Sequence, residues 1–141
     1  MNLKPVLTNF LMIKPPFEKT QAELNEWLSI CHAKAEQSNS NEDLSKSFFN
    51  RYAVKASQIA NRSFECPDIT DMQPWDSKRI YRLTAKTPQG VGMLERNIFF
   101  AERAQDIMQK LYENCQNKPQ HLIHVTCTGY VSPSAAQLLV S

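Results

Sequence analysis

Glycine is scarce in this 141-residue chain: Gly90, Gly92 and Gly129 are all there are. Three isolated glycines exclude a collagen-like repeat, a Gly-rich linker and most phosphate-cradling loops. Long hydrophobic runs are also missing, and nothing approaches the roughly 20 apolar residues that span a bilayer. Pro5 to Ile13 is apolar but short, and Lys14-Pro15-Pro16 ends it where a signal peptide would carry a small-residue cleavage site. Charge of one sign is lacking too. Sixteen Lys and Arg stand against fourteen Asp and Glu, a net +2, which leaves no electrostatic footprint for nucleic acid. The four cysteines, Cys31, Cys66, Cys115 and Cys127, are too few for a disulfide scaffold in a chain of this size. Reduced thiols in a cytoplasmic protein are expected.

What is present is an ordinary globular composition, 42% hydrophobic and 21% charged, in a length that suits one domain and buries a real core. Val6 to Ile13 reads as a strand stopped by the Pro-Pro pair. Thr20-Gln21-Ala22-Glu23 fits a capping box, and Leu24, Trp27, Leu28, Cys31 and Ala35 follow at helical spacing, so a core-facing helix is predicted to about Gln37. A second helix is predicted over Glu42 to Ile59, with a stripe of Leu44, Phe48, Tyr52 and Ala56. Cys66 to Ser77 reads as a loop anchored by Trp75, and Arg79 to Thr84 as a short strand or loop.

The longest helix is predicted from Leu94 to Asn114, buried along Ile98, Ala101, Ala104, Met108, Leu111 and Cys115, and stopped by Asn117-Lys118-Pro119. Leu122 to Cys127 reads as a buried strand. Ser132-Pro133 opens a final helix, with Pro in its first turn. The order β, α, α, loop, α, β, α points to an α/β layered fold in a single domain. The last helix runs to Leu138-Leu139-Val140-Ser141 without a polar cap, which leads us to expect a fragment of a longer fold.

The densest cluster of ligand-type residues is His121, His124 and Cys127, with Cys115 nearby. On a strand His124 and Cys127 point to opposite faces. His121 and Cys127 would lie roughly 20 Å apart at about 3.3 Å per residue. Metal ligands must converge within a few ångströms, so no metal site is expected. Cys127, at the C-terminal end of its strand, either lines a pocket or packs as a small buried residue. A nucleophilic role would require a base and a lowered pKa. Arg51 and Lys55 are a helical turn apart and Arg62 follows, an arrangement for phosphate or a solvated helix face. Glu95 and Arg96 read as capping residues, with Glu95 favoured by the helix dipole.

Two segments resemble one family. His121-Leu122-Ile123-His124-Val125-Thr126-Cys127-Thr128-Gly129-Tyr130-Val131-Ser132-Pro133 resembles the run of chalcone and stilbene synthases that leads from a buried strand through a Thr/Ser-Gly turn to a proline. Bacterial type III polyketide synthases often carry the Thr-Cys-Thr-Gly form. Glu95-Arg96-Asn97 is similar to the helix that precedes this strand there, and Ile13-Lys14-Pro15-Pro16 with Gln21 is similar to the first strand and turn.

The resemblance implies the N-terminal part of a thiolase-like α-β-α-β-α layered fold, incomplete in this chain. It implies an acyltransferase that condenses acyl-CoA with malonyl-CoA, with no tightly bound cofactor, in a homodimer. The family's nucleophilic cysteine, histidine and asparagine would all fall after Ser141, so the chain alone would be inactive. By the same resemblance Cys127 and Thr128 match pocket-lining residues. Ser132 falls where plant enzymes place a methionine that reaches across the dimer. The family's CoA-binding basic residues lie on the helix matching Phe48 to Ala56, which carries that role to Arg51 and Lys55, each one residue from the family's positions. The alternative is a non-catalytic fragment that partners a separate C-terminal half or another condensing enzyme.

Overall fold

The computed structural model describes residues 10–36, 42–72, 74–84, 86–115, 121–126 and 129–140, with 42–45 described by backbone alone. Its elements are β1 (Phe17–Thr20), α1 (Gln21–Ala35), α2 (Glu42–Tyr52), β2 (Asn61–Phe64), a 3₁₀ turn (Pro67–Ile69), α3 (Met93–Tyr112) and α4 (Ala135–Val140). Helices are thus combined with a small sheet, in which β1 and β2 pair antiparallel from Phe17 against Phe64 to Thr20 against Asn61. The chain divides into two compact units, Pro15–Phe99 and Met1–Lys14 with Phe100–Ser141.

Within Pro15–Phe99, α1 starts where the sequence says it should. Thr20 Oγ1 accepts the Glu23 amide at 3.2 Å, and the Thr20 amide donates to Glu23 Oε2 at 2.8 Å. These two bonds satisfy donors that a helix N-terminus otherwise leaves unpaired. The Thr20 hydroxyl, which donates to Glu23 Oε2 at 2.7 Å, and then the Thr20 amide hold the Glu23 carboxyl below its ordinary pKa. The box therefore stays charged somewhat below the usual carboxylate range and is lost as pH falls through that lowered value. We expect Thr20→Ala to cost about 1 kcal/mol, read from the urea midpoint. No change at all would mean that sheet pairing, not the cap, fixes the helix start.

The predicted α1 stripe is the core. Leu24, Trp27 and Cys31 are buried together with Ile69, Trp75 and Leu83, and Leu28, Ile30, Phe64 and Tyr81 pack against them. Trp75 anchors its loop, as the sequence predicts. Trp27, 2% exposed, meets Tyr81 edge to face at a centroid distance of 4.7 Å.

The loop from the 3₁₀ turn to Tyr81 is organised by one carboxylate. Asp68 is 3% exposed and accepts the amides of Arg79 at 2.6 Å, Ile80 at 2.5 Å and Tyr81 at 2.8 Å. Lys78, also buried, donates from Nζ to the carbonyls of Asp68 (2.7 Å) and Asp71. Arg79 to Thr84 is accordingly a loop. Its Ile80 carbonyl accepts the Val91 amide at 3.0 Å, which fixes the approach to α3.

Several expectations are corrected. α2 ends at Tyr52, because residues 53–60 turn to bring Asn61 into the sheet; the Gln58 and Ile59 amides both donate to the Lys55 carbonyl. Its predicted stripe does not face the core: Phe48 and Tyr52 are 57% and 65% exposed, and Ala56 is exposed. Leu44's side chain lies outside the described residues. Phe49, one position on, is half-buried, with its ring 6.4 Å from that of His32 on α1.

In the other unit the described part of the first predicted strand, residues 10–13, is irregular. Residues 6–9 of it lie outside the described residues. Residues 122–126 are irregular as well, with Ile123 and Val125 89% and 84% exposed. A strand needs a ladder partner, and this segment has none among the described residues. The α3 stripe is only half-covered, with Ile98 and Cys115 exposed and no described α3 residue buried. Pro133 precedes α4 rather than opening it. Ser134 is the cap, since its Oγ accepts the Gln137 amide at 3.2 Å and its own amide donates to Gln137 Oε1 at 2.7 Å.

Candidate functional site

The sequence-predicted site residues fall in different places. Cys127 and Thr128 lie outside the described residues. Beside them, the Thr126 hydroxyl donates to the Gly129 carbonyl at 2.9 Å. A Cβ at Gly129 would strike the Phe100 ring, so a larger residue there requires that ring to move. Ser132 is exposed and joined to Pro133 by a cis peptide bond. Arg96 serves structure, gripping the carbonyls of Gln89 (2.6 Å) and Val91 (3.2 Å) just before α3.

Arg51 is exposed in the last turn of α2, its guanidinium 5.4 Å from the centroid of the Tyr52 ring. A cation there complements the negative end of the helix dipole. Lys55 is exposed in the turn beyond the helix. The two are therefore not a turn apart on one helix, and neither lines the cleft described below. No group of three or more His, Cys, Asp or Glu side chains gathers to hold a metal among the described residues. Nor is any helix among them long and apolar enough to cross a membrane.

A concavity lies in the Pro15–Phe99 unit, a cleft of about 590 Å³ between α1, α2 and β2. Its walls are apolar and aromatic, with Trp27, Leu28, Phe48, Phe49, Tyr52 and Phe64 prominent. Arg62, on β2, supplies the cation. Its Nε donates to Gln21 Oε1 at 2.8 Å, and Gln21 Nε2 donates to Asn25 Oδ1 at 2.9 Å. Gln21 is 4% exposed, and its backbone amide donates to the Ala60 carbonyl at 2.8 Å, so the middle of the network is tied to main chain. No acidic side chain pairs with Arg62 among the described residues. Sequence inspection placed Arg62 with Arg51 and Lys55 as basic residues and missed Gln21. A polar residue at the first position of an apolar-striped helix is the signal that was available, but its partner is 41 residues away.

Cys66 lines this cleft, and Cys31 lies in the core of the same unit. Burial pushes the Cys31 thiol up to about 12 and the Cys66 thiol up to about 11, from an ordinary 9.0, and neither is bonded in a disulfide. The unfolded chain releases these protons near pH 9 while the folded chain holds them, so the unfolded state binds fewer protons above that pH. Stability is expected to be insensitive to these thiols below about pH 9 and to fall between about pH 9 and 12. Urea midpoints across that range check this, with Cys31→Ser/Cys66→Ser removing the thiol contribution to the slope. At pH 7 a thiol reagent is expected to label exposed Cys115 well before Cys31.

Neither protein-family models nor curated proteins give a match to this chain.

Proposed function

We propose that the chain is the N-terminal part of a type III polyketide synthase-like acyltransferase, built on the corresponding part of a thiolase-like layered fold. The observation that carries this reading is the run His124-Val125-Thr126-Cys127-Thr128-Gly129-Tyr130-Val131-Ser132-Pro133. The long helix ahead of it, entered through Glu95-Arg96-Asn97, lends support. In such chemistry a malonyl thioester loses CO2, and the resulting carbanion attacks the acyl thioester held on a cysteine, displacing the thiolate. Cys127 is assigned to the pocket wall with Thr128 and Ser132, not to that nucleophile. Arg51 and Lys55 are assigned to the CoA phosphates, as point charges at the end of α2.

The test supplies acyl-CoA and malonyl-CoA to the chain alone, then to the chain co-expressed with the C-terminal portion of a bacterial type III polyketide synthase. Product is read by mass spectrometry. The expected result is none from the chain alone and a condensation product from the pair. CoA binding should weaken about threefold to tenfold in Arg51→Ala/Lys55→Ala. Condensation by the chain alone would overturn the assignment of Cys127. Failure of both complementation and CoA binding would overturn the family reading.

One observation favours a second reading, a non-catalytic partner of another chain. Ile123, Val125 and Tyr130 are each more than four-fifths exposed, at 89%, 84% and 86%. Apolar side chains exposed this close together in sequence suit an interface. Stable co-purification with a condensing-enzyme chain, without any gain in its activity, would favour this reading; a monodisperse monomer that captures no such chain would exclude it.

A further inference from the structure

We infer that the cleft between α1, α2 and β2 binds an apolar monocarboxylate, with Arg62 as the carboxylate receptor and Gln21 as its positioning residue. This inference is independent of the reading above, since it uses none of the residues assigned there.

Three observations converge on it. The first is size and lining. About 590 Å³ walled by Trp27, Leu28, Phe48, Phe49, Tyr52 and Phe64 fits a ring system or a medium acyl chain, and such a lining draws apolar ligands from water. The second is charge. The cleft carries a guanidinium with no acidic partner among the described residues, and a guanidinium presents a planar fork matched to a carboxylate. The third is preorganisation. Arg62 gives its Nε to Gln21, which is itself nine-tenths buried and braced by Asn25, leaving the terminal nitrogens as the fork for a ligand. An arginine present only to cover apolar surface would not need a buried amide to hold it.

The experiment uses calorimetry on the full chain at pH 7, with decanoate and 2-naphthoate as probes and decanol and 2-naphthalenemethanol as uncharged counterparts. At least one acid is expected to bind, at least tenfold more tightly than its alcohol. Preference for decanoate identifies an aliphatic ligand, and preference for naphthoate an aromatic one. Arg62→Met should lower affinity for the acid tenfold or more and leave the alcohol unchanged. Arg62→Lys, which keeps the charge without the fork, should fall between. Gln21→Leu should weaken acid binding while Arg62 remains. Ala53→Trp, which fills the cleft from the α2 side, should abolish binding of acid and alcohol alike. Circular dichroism of each variant separates loss of binding from loss of fold. Equal affinity for acid and alcohol, full affinity in Arg62→Met, or no binding of either acid by the folded chain would each overturn the inference.

Discussion

Replacing Asp68 by Ala is expected to destabilise the Pro15–Phe99 unit by about 3–5 kcal/mol. The effect is large because one buried side chain serves three backbone donors. Removing it leaves the amides of Arg79, Ile80 and Tyr81 without their acceptor, each lost charge-assisted bond costing more than a neutral one. Asp68→Asn is the sharper variant. Oδ2 accepts two of the three amides and Oδ1 the third, so an amide nitrogen in either place turns a donor toward donors. Its cost should approach that of Ala despite equal size. Urea unfolding measures both, and a loss below about 1 kcal/mol in either would show that the loop holds itself together by other means.

Gly90→Ala is the second large effect, at least about 2 kcal/mol. Gly90 sits at φ +78°, and a Cβ there would strike the Ile80 carbonyl oxygen and lie 3.3 Å from Tyr81 Cα. The first factor is a conformation that L-residues adopt at a cost of about 1–2 kcal/mol. The second is a collision with backbone, which cannot rotate away. Gly92→Ala is the control. Its Cβ would meet only the flexible Glu95 carboxylate, at 3.1 Å, so a change within about 0.5 kcal/mol is expected. The two large variants share a structure, because Ile80 gives its amide to Asp68 and its carbonyl to Val91 beside Gly90. Asp68→Ala/Gly90→Ala should therefore cost less than the sum of the two. Strict additivity would mean that the contacts are independent.

What could be read in the residues was local. The Thr20–Glu23 box, the α1 stripe, Trp75 and the span of the longest helix, predicted as Leu94 to Asn114 and found as Met93–Tyr112, each declare themselves within a few positions. What could not be read depends on distant partners. β1 and β2 are four residues long, too short for alternation to register, and each depends on a partner more than 40 positions away. The buried face proposed for α3 follows from periodicity, but periodicity names a face without supplying its neighbour. Asp68 falls in the Cys66 to Ser77 loop, where nothing nearby in sequence announces three amides 11 to 13 residues away. Arg62 stood out as a base, whereas the amide that steadies it is on another element.

The Asp68 nest also has a consequence for isotope labelling. In deuterated water, amides that open together exchange together, and a run of slow amides is ordinarily taken as a β-ladder. Arg79, Ile80 and Tyr81 would give such a run with no strand beneath them. Their common gatekeeper is one rotamer: when the Asp68 side chain swings away, all three lose cover in the same event.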